Sequence, residues 1–443
     1  MRIRKEWNDI LRALRLDGSF VQNSAWMFTS SGVSILIQVI FFPILSRIYS
    51  PEVYGLFGVF NFYSTTLGNA MTLGYNQAYV LPADRREFSA LLHLTIRASV
   101  GFALATTFIV LLAGEPLLLL AGHDDLGNWA YLIAPVALLM AWDRMTSDWA
   151  IRNGEFRRQT VVSTTITLLT KAFNAGYGFW IHAGPAGLIL TTLLQHGLRA
   201  WAYLQWVIKD SSARLTERIR WQEIKRVARL YKEFPLFIYW GNVLSIFSAA
   251  LPAALLPLVG FDLAAVGFYG YSIIILDLPI RLLGSGVASV FQQKSAELVR
   301  NRPHELKRHA LKLMGGLTLL ALPFTVLIWM LGEESYSILF GSQWVVAGAA
   351  AECLVWYYLF RMISSPLTVL YTTLRKEKNL FLFQVILTVL RICALVGGAY
   401  LTNDFIELMI LFSAVNAVAY ALLCADIWRM VGHFDRNLTV HNR

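Results

Sequence analysis

The sequence predicts an all-α membrane protein with about twelve transmembrane helices. Three observations carry this: the composition, the length of the apolar runs and the sign of the charges between them. Of 443 residues, 56% are hydrophobic and only 15% are charged, where a soluble domain carries about 25% charge. Mean hydropathy is +0.53. No charge occurs between Asp17 and Arg47, between Glu52 and Asp84, or between Phe234 and Phe261. Each run exceeds the roughly 20 residues that span a bilayer as a helix. Their continuity excludes the alternating pattern of a β-barrel.

Twelve apolar spans follow along the chain: 22–46, 53–82, 88–113, 129–150, 160–181, 185–208, 234–257, 264–290, 313–331, 346–371, 380–402 and 406–428. The first twenty residues are too polar for a cleavable signal peptide. Lys and Arg gather before the first span and at every even-numbered junction, including Arg85, Arg86, Arg152, Arg157 and Arg158. The segment 209–232 holds eight basic residues, the segment 291–312 holds six, and Arg375, Lys376 and Lys378 follow span ten. The odd junctions carry Glu52, Glu115, Asp124, Asp125, Asp262, Glu333, Glu334 and Asp404. Because basic loops stay cytoplasmic, both termini are expected there. The net charge of +10 thus reports topology and predicts no nucleic-acid partner.

Five segments are expected. Residues 1–20 form an interfacial amphipathic helix, with Trp7, Ile10, Leu11 and Leu14 at helical spacing and Arg4, Lys5, Arg12 and Arg15 on other faces, suited to an anionic leaflet. A six-helix N-lobe takes 21–208, a basic cytoplasmic linker 209–233, a six-helix C-lobe 234–430 and a cytoplasmic tail 431–443. The two lobes rest on an internal similarity between SRIYSPEVYGLFGVF (46–60) and PLVGFDLAAVGFYGY (257–271). It aligns Ser50 with Asp262, a helix N-cap, and Gly55 with Gly267. Both repeats would enter from the same side, as in parallel transporter repeats.

Seven basic residues fall inside spans: Arg97, Arg144, Lys171, Arg199, Arg281, Arg361 and Arg391. A charge at the bilayer centre costs at least about 2.5–3.5 kcal/mol, so these should face protein or an aqueous cavity. Arg144 is shallow and is expected in an edge cluster with Asp143 and Asp148. The other acids within or at the edge of spans are Asp277, Glu352 and Glu407. The excess is cationic, and guanidinium forks suit phosphate oxygens. Arg97, Lys171, Arg199, Arg281, Arg361 and Arg391 are therefore the candidate anion-binding set. Asp277 and Arg281, four residues apart, are expected to pair on one helix face. A proton on Asp277, or substrate phosphate, would release Arg281. His93 and His196 precede Arg97 and Arg199 by four and three residues, and histidine is the side chain suited to proton exchange in the physiological range, so both join Asp277 as candidate coupling groups. Pro43, Pro252, Pro257 and Pro279 are candidate bends. Cys353, Cys393 and Cys424 lie in apolar spans without metal-ligand or disulfide spacing. No phosphate-binding loop, dinucleotide fingerprint, zinc signature or cofactor motif is present.

The opening segment NSAWMFTSSGVSILIQVIFFPILSRIYSPEVYGLFGVFNFY, and LSRIYSPEVYGLF above all, resembles the first two helices of Wzx-type polysaccharide or O-antigen flippases. That group lies in the multidrug/oligosaccharidyl-lipid/polysaccharide exporter superfamily. The resemblance implies two lobes around a central cavity in the bacterial inner membrane. It implies a non-enzymatic flippase for undecaprenyl-diphosphate-linked oligosaccharide, a repeat unit of O-antigen, lipopolysaccharide or another surface polysaccharide. Other polysaccharide-assembly proteins are further expected partners, and an H+ or Na+ gradient is the expected driving force. The alternatives are a multidrug or cation exporter of the same superfold, which wants acids in its cavity, and a membrane polymerase or ligase, which wants a sizeable outer loop.

Overall fold

The computed structural model describes residues 20–209 and 219–441. The expected helix at 1–20 lies almost wholly outside them, as does the middle of the linker. Among the described residues there is no strand, and long helices follow one another: α1 (Phe20–Ile48), α2 (Pro51–Ala70), α3 (Arg85–Leu120), α4 (Ile133–Arg152), α5 (Phe156–Trp180), α6 (Pro185–Lys209), α7 (Trp221–Leu230), α8 (Tyr239–Leu258), α9 (Leu263–Asn301), α10 (Leu306–Phe340), α11 (Val345–Ser364), α12 (Glu377–Ala399) and α13 (Phe405–His441). Helix is what an apolar chain adopts in a bilayer, because every backbone N–H must find its carbonyl internally. Seven segments are both long and apolar enough to cross a membrane among the described residues, which makes this a multi-pass membrane protein.

Element boundaries differ from expectation in three places. The apolar run 53–82 is not one helix: α2 stops at Ala70, Leu73 and Gly74 take positive φ (50° and 72°), and a 3-10 turn covers Tyr75–Val80. The run 291–312 is not a loop. Good helix formers carry α9 on to Asn301 and start α10 at Leu306, where Phe291, Leu298 and Leu306 share a core with Leu367 and Leu370. The linker contains α7, whose Ile224 and Val227 bury against α3 and α4 residues Leu91, Leu92 and Trp149.

The helices pack as two compact units. The first takes the chain up to Tyr49 and Val59–Ile246; the second takes Ser50–Gly58 and Phe247 onward. In the second unit the starts of α2 and α9 meet reciprocally. A Cβ on Gly55 would lie 1.7 Å from the Leu263 carbonyl oxygen, and a Cβ on Gly267 would lie 2.0 Å from that of Pro51. Only glycine fits either position. Asp262 caps α9, its Oδ1 accepting the Ala265 N–H at 2.9 Å. The aligned glycines Gly55 and Gly267 therefore occupy matching places.

A second repeat escaped sequence reading. Helix α3 kinks at Ala113 (φ −137°, ψ 15°) and α10 at Leu331 (φ −134°, ψ 22°). The kinked residue is followed by Gly-Glu in both: Gly114-Glu115 and Gly332-Glu333. At the second kink Glu352 of α11 accepts the Glu333 N–H at 2.9 Å. This gives the intramembrane Glu352 a structural task, since a kink frees backbone groups that need partners.

Candidate functional site

A polar cavity of about 360 Å³ lies within the first unit. Three helices line it, each with residues four apart that share a face. Helix α1 brings Ser34 and Gln38, α5 brings Ser163, Thr167 and Lys171, and α6 brings Gln195 and Arg199. Polar stripes on otherwise apolar helices turn inward because hydroxyl and amide groups find no partner in lipid. Several spend part of their capacity on their own helix: Thr167 Oγ1 donates to the Ser163 carbonyl (2.6 Å) and Gln38 Nε2 to the Ser34 carbonyl (3.3 Å).

Both cations are central in their helices. Lys171 stands nine residues before the end of α5 and Arg199 ten before the end of α6. At 1.5 Å per residue that is about 14–15 Å of depth. Arg199 is positioned by its neighbours. Its Nη2 donates to Thr167 Oγ1 at 2.6 Å and to the Ser163 carbonyl at 3.4 Å, and its Nη1 lies 3.7 Å from Asp143 Oδ2. Asp143 Oδ2 is already held at 2.8 Å by His196 Nδ1, so one carboxylate is divided between a histidine and an arginine. Arg199 Nε is buried without a hydrogen bond among the described residues. Lys171 has neither hydrogen bond nor ion pair among the described residues, and the only formal charge beside it in the cavity lining is another cation. Such a chamber attracts an anion with several acceptor oxygens.

The remaining predicted residues stand elsewhere. In the second unit Arg361 Nη1 binds Asp277 Oδ1 at 2.8 Å and its guanidinium lies 5.0 Å from the Tyr358 ring. The expected Asp277–Arg281 pair exists at 3.7 Å, but Arg281 is 56% exposed and Arg361, 84 positions away, is the closer partner. Arg391 is 6% exposed and ties three helices: Nε donates to Asn416 Oδ1 (2.8 Å), Nη1 to the Ser248 carbonyl and hydroxyl (3.0 Å each). Arg97 lies on the surface of the first unit, 5.7 Å from the Trp221 ring. His93 Nδ1 bonds the Ser89 carbonyl (2.8 Å) on its own helix. The expected edge cluster is divided: Asp143 turns to His196, while Arg144 and Asp148 remain close enough to interact and bond Asn69 and Asn76. Arg144 and Asp148, four apart, share a face of α4, while Asp143 turns toward α6. Sequence reading missed Ser34, Gln38, Ser163, Thr167 and Gln195. Their signal was present as polar pairs at i,i+4 within apolar spans.

Comparison with known proteins agrees with this architecture. The family model described as "Polysaccharide biosynthesis protein" matches residues 44–349. The succinoglycan biosynthesis transport protein ExoT of Rhizobium meliloti (strain 1021) is 25% identical over 409 residues, which is 90% of this chain and 78% of that protein. Among solved structures, an inward-facing multidrug resistance MATE family transporter of the MOP superfamily superposes with a TM-score of 0.72 at 14% identity, covering 92% of this chain and 96% of that one. The lipid II flippase MurJ in an inward closed conformation also gives 0.72 at 14% identity, covering 95% of this chain and 91% of its own. The chain shares the fold of these two transporters.

Proposed function

The chain belongs to the polysaccharide biosynthesis protein family, and on that premise we propose that it is a flippase for a polyprenyl-diphosphate-linked glycan. The observation that carries this reading is Lys171, a cation with no ion-pair partner among the described residues, in a polar cavity that it shares with Arg199. A diphosphate loses much hydration on leaving the aqueous face, and charge-assisted bonds to ammonium and guanidinium groups offset that loss. Serine, threonine and glutamine around them supply further donors for phosphate or sugar hydroxyls. The polyprenyl tail stays in lipid while the headgroup crosses by alternating access from the cytoplasmic to the periplasmic leaflet of the inner membrane, with both termini cytoplasmic. His196, bonded to the same carboxylate as Arg199, is the foremost group for coupling to an ion gradient. A proton on it would hold Asp143 more firmly and free Arg199 for substrate. The fold is shared with a multidrug transporter, but a cavity with two cations repels a cationic drug.

Reconstituted liposomes provide the test. With a fluorescent undecaprenyl-diphosphate oligosaccharide, Lys171→Met should slow translocation at least tenfold, equivalent to about 1.4 kcal/mol. Thermal stability should hold or rise, because an unpaired charge has been removed. Wild-type rates in Lys171→Met would refute the diphosphate role of the cavity. Transport of a cationic dye in place of the glycan would overturn the flippase reading.

A further inference from the structure

We propose that the first unit carries a site for an anionic phospholipid of the surrounding bilayer. Its headgroup part is Arg97, Trp221 and Lys225, and its chain part is an apolar groove bounded by α3, α4 and α6. This site is separate from the polar cavity and does not depend on what that cavity transports.

The headgroup part rests on α7. Ile224 and Val227 bury one face of this helix, while Trp221, Lys225, Arg226 and Arg229 are exposed on the other. Such a division suits a helix lying in a membrane interface. The Trp221 ring is 55% exposed and has two cations against it: the Arg97 guanidinium at 5.7 Å and the Lys225 ammonium at 5.7 Å. Neither cation is in an ion pair among the described residues. Two like charges converge on one ring although no carboxylate among the described residues pairs with either. Arg97 stands twelve residues into α3, on a flank where an exposed guanidinium has no partner in lipid. A phosphate at this place satisfies both cations, and an indole at headgroup level is stable with one edge wet.

The chain part adjoins it. A groove of about 350 Å³ has almost entirely apolar walls, among them Leu92, Ile96, Trp142, Trp149, Gly197 and Ala200. Ile96 immediately precedes Arg97. Leu92 and Trp149 belong to the same apolar cluster as Ile224 and Val227. The helix that carries Trp221 and Lys225 is thus packed directly beside the groove. A soluble ligand would leave such walls dry, whereas an acyl chain matches them. Charge complementarity at the mouth selects an anionic over a zwitterionic headgroup. Gly197 lines the groove, and a Cβ there meets only Leu139 Cδ1, at 3.6 Å, an ordinary contact, so a larger residue at this position narrows the groove.

Native mass spectrometry of the purified full chain, titrated with equal amounts of phosphatidylglycerol and phosphatidylcholine, tests the site. Wild type should retain phosphatidylglycerol on the order of tenfold better. Arg97→Gln/Lys225→Gln should cut that preference to within about twofold, and Gly197→Leu should lower retention of both lipids. Arg97→Lys should keep the preference, as should neutralising the exposed Lys376 and Lys378. If the double variant aggregates, Lys225→Gln alone, on the exposed face, should still lose about threefold. Equal retention of the two lipids by wild type would overturn the proposal. So would an unchanged preference in the double variant, or an equal loss on neutralising Lys376 and Lys378.

Discussion

Lys171 in the first unit and Arg391 in the second are both basic residues in the interior of long apolar helices, and their surroundings differ. Lys171 faces a polar cavity beside a second cation, with no acceptor bound among the described residues. Arg391 is enclosed, and its donors meet the Asn416 amide oxygen and the Ser248 carbonyl and hydroxyl. Arg361, in the same unit, has a carboxylate at 2.8 Å. The difference teaches that an intramembrane cation is defined by its acceptors and not by its depth. Where neutral acceptors or an acid already fill its donors, it holds helices together. Where they are missing, it has capacity for a ligand.

The largest expected effect breaks the comparison on its structural side. Arg391→Met removes a charge that is nearly fully buried and leaves the Ser248 and Asn416 oxygens unsatisfied. Each buried oxygen left without its donor costs about 1–3 kcal/mol. The variant should lose most of its thermal stability in detergent, and transport only in proportion to the folded fraction. An unchanged melting temperature would show that Arg391 is not a structural tie. The next effect is smaller. Asp277→Asn keeps a hydrogen-bond acceptor for Arg361 but removes its countercharge, for a loss of about 2 kcal/mol. Arg361→Met together with Asp277→Asn should recover part of that loss, because no uncompensated charge then remains. Melting curves of the two single variants and the double variant measure the coupling directly.

How much of this was legible in the sequence follows from the range of each interaction. The helices, their membrane setting and the cationic excess are local or compositional properties, and they were readable. So was the Gly55/Gly267 match, because both glycines lie at the same step of similar segments. The pairing of Asp277 with Arg281 was readable and is present at 3.7 Å, but its closer partner was not. The i,i+4 rule offers Arg281, while the fold delivers Arg361 from another helix. Arg97 was assigned to a cavity on depth alone, and depth is silent about which side of a helix a residue takes. The Glu352 carboxylate answers a backbone N–H exposed by a kink, and the only sequence trace of that kink is a repeated Gly-Glu pair. Outside the membrane, Tyr231 shows a further non-local bond, donating to Glu87 Oε1 at 2.5 Å. Burial and that hydrogen bond push its phenol up to about 12, so it remains a donor throughout the physiological pH range.

The smallest expected effect sharpens the comparison on its ligand-facing side. Thr167→Val is nearly isosteric and removes one hydroxyl, which donates to the Ser163 carbonyl and accepts from Arg199 Nη2 at 2.6 Å. Losing the bond to its own helix costs little, since the carbonyl is already inside a helix. Losing the acceptor matters to Arg199, whose remaining partners lie at 3.4 and 3.7 Å. The guanidinium is then less well aimed, by about 1 kcal/mol for one net hydrogen bond, so glycolipid translocation should fall roughly fivefold. Stability should change by less than that amount. Thr192→Val is the matched control: its hydroxyl donates to the Leu188 carbonyl at 2.9 Å in α6, and it does not line the cavity. Its rate should equal wild type. Equal slowing in both variants would mean that helix stability governs transport, and that the aim of Arg199 toward the cavity does not.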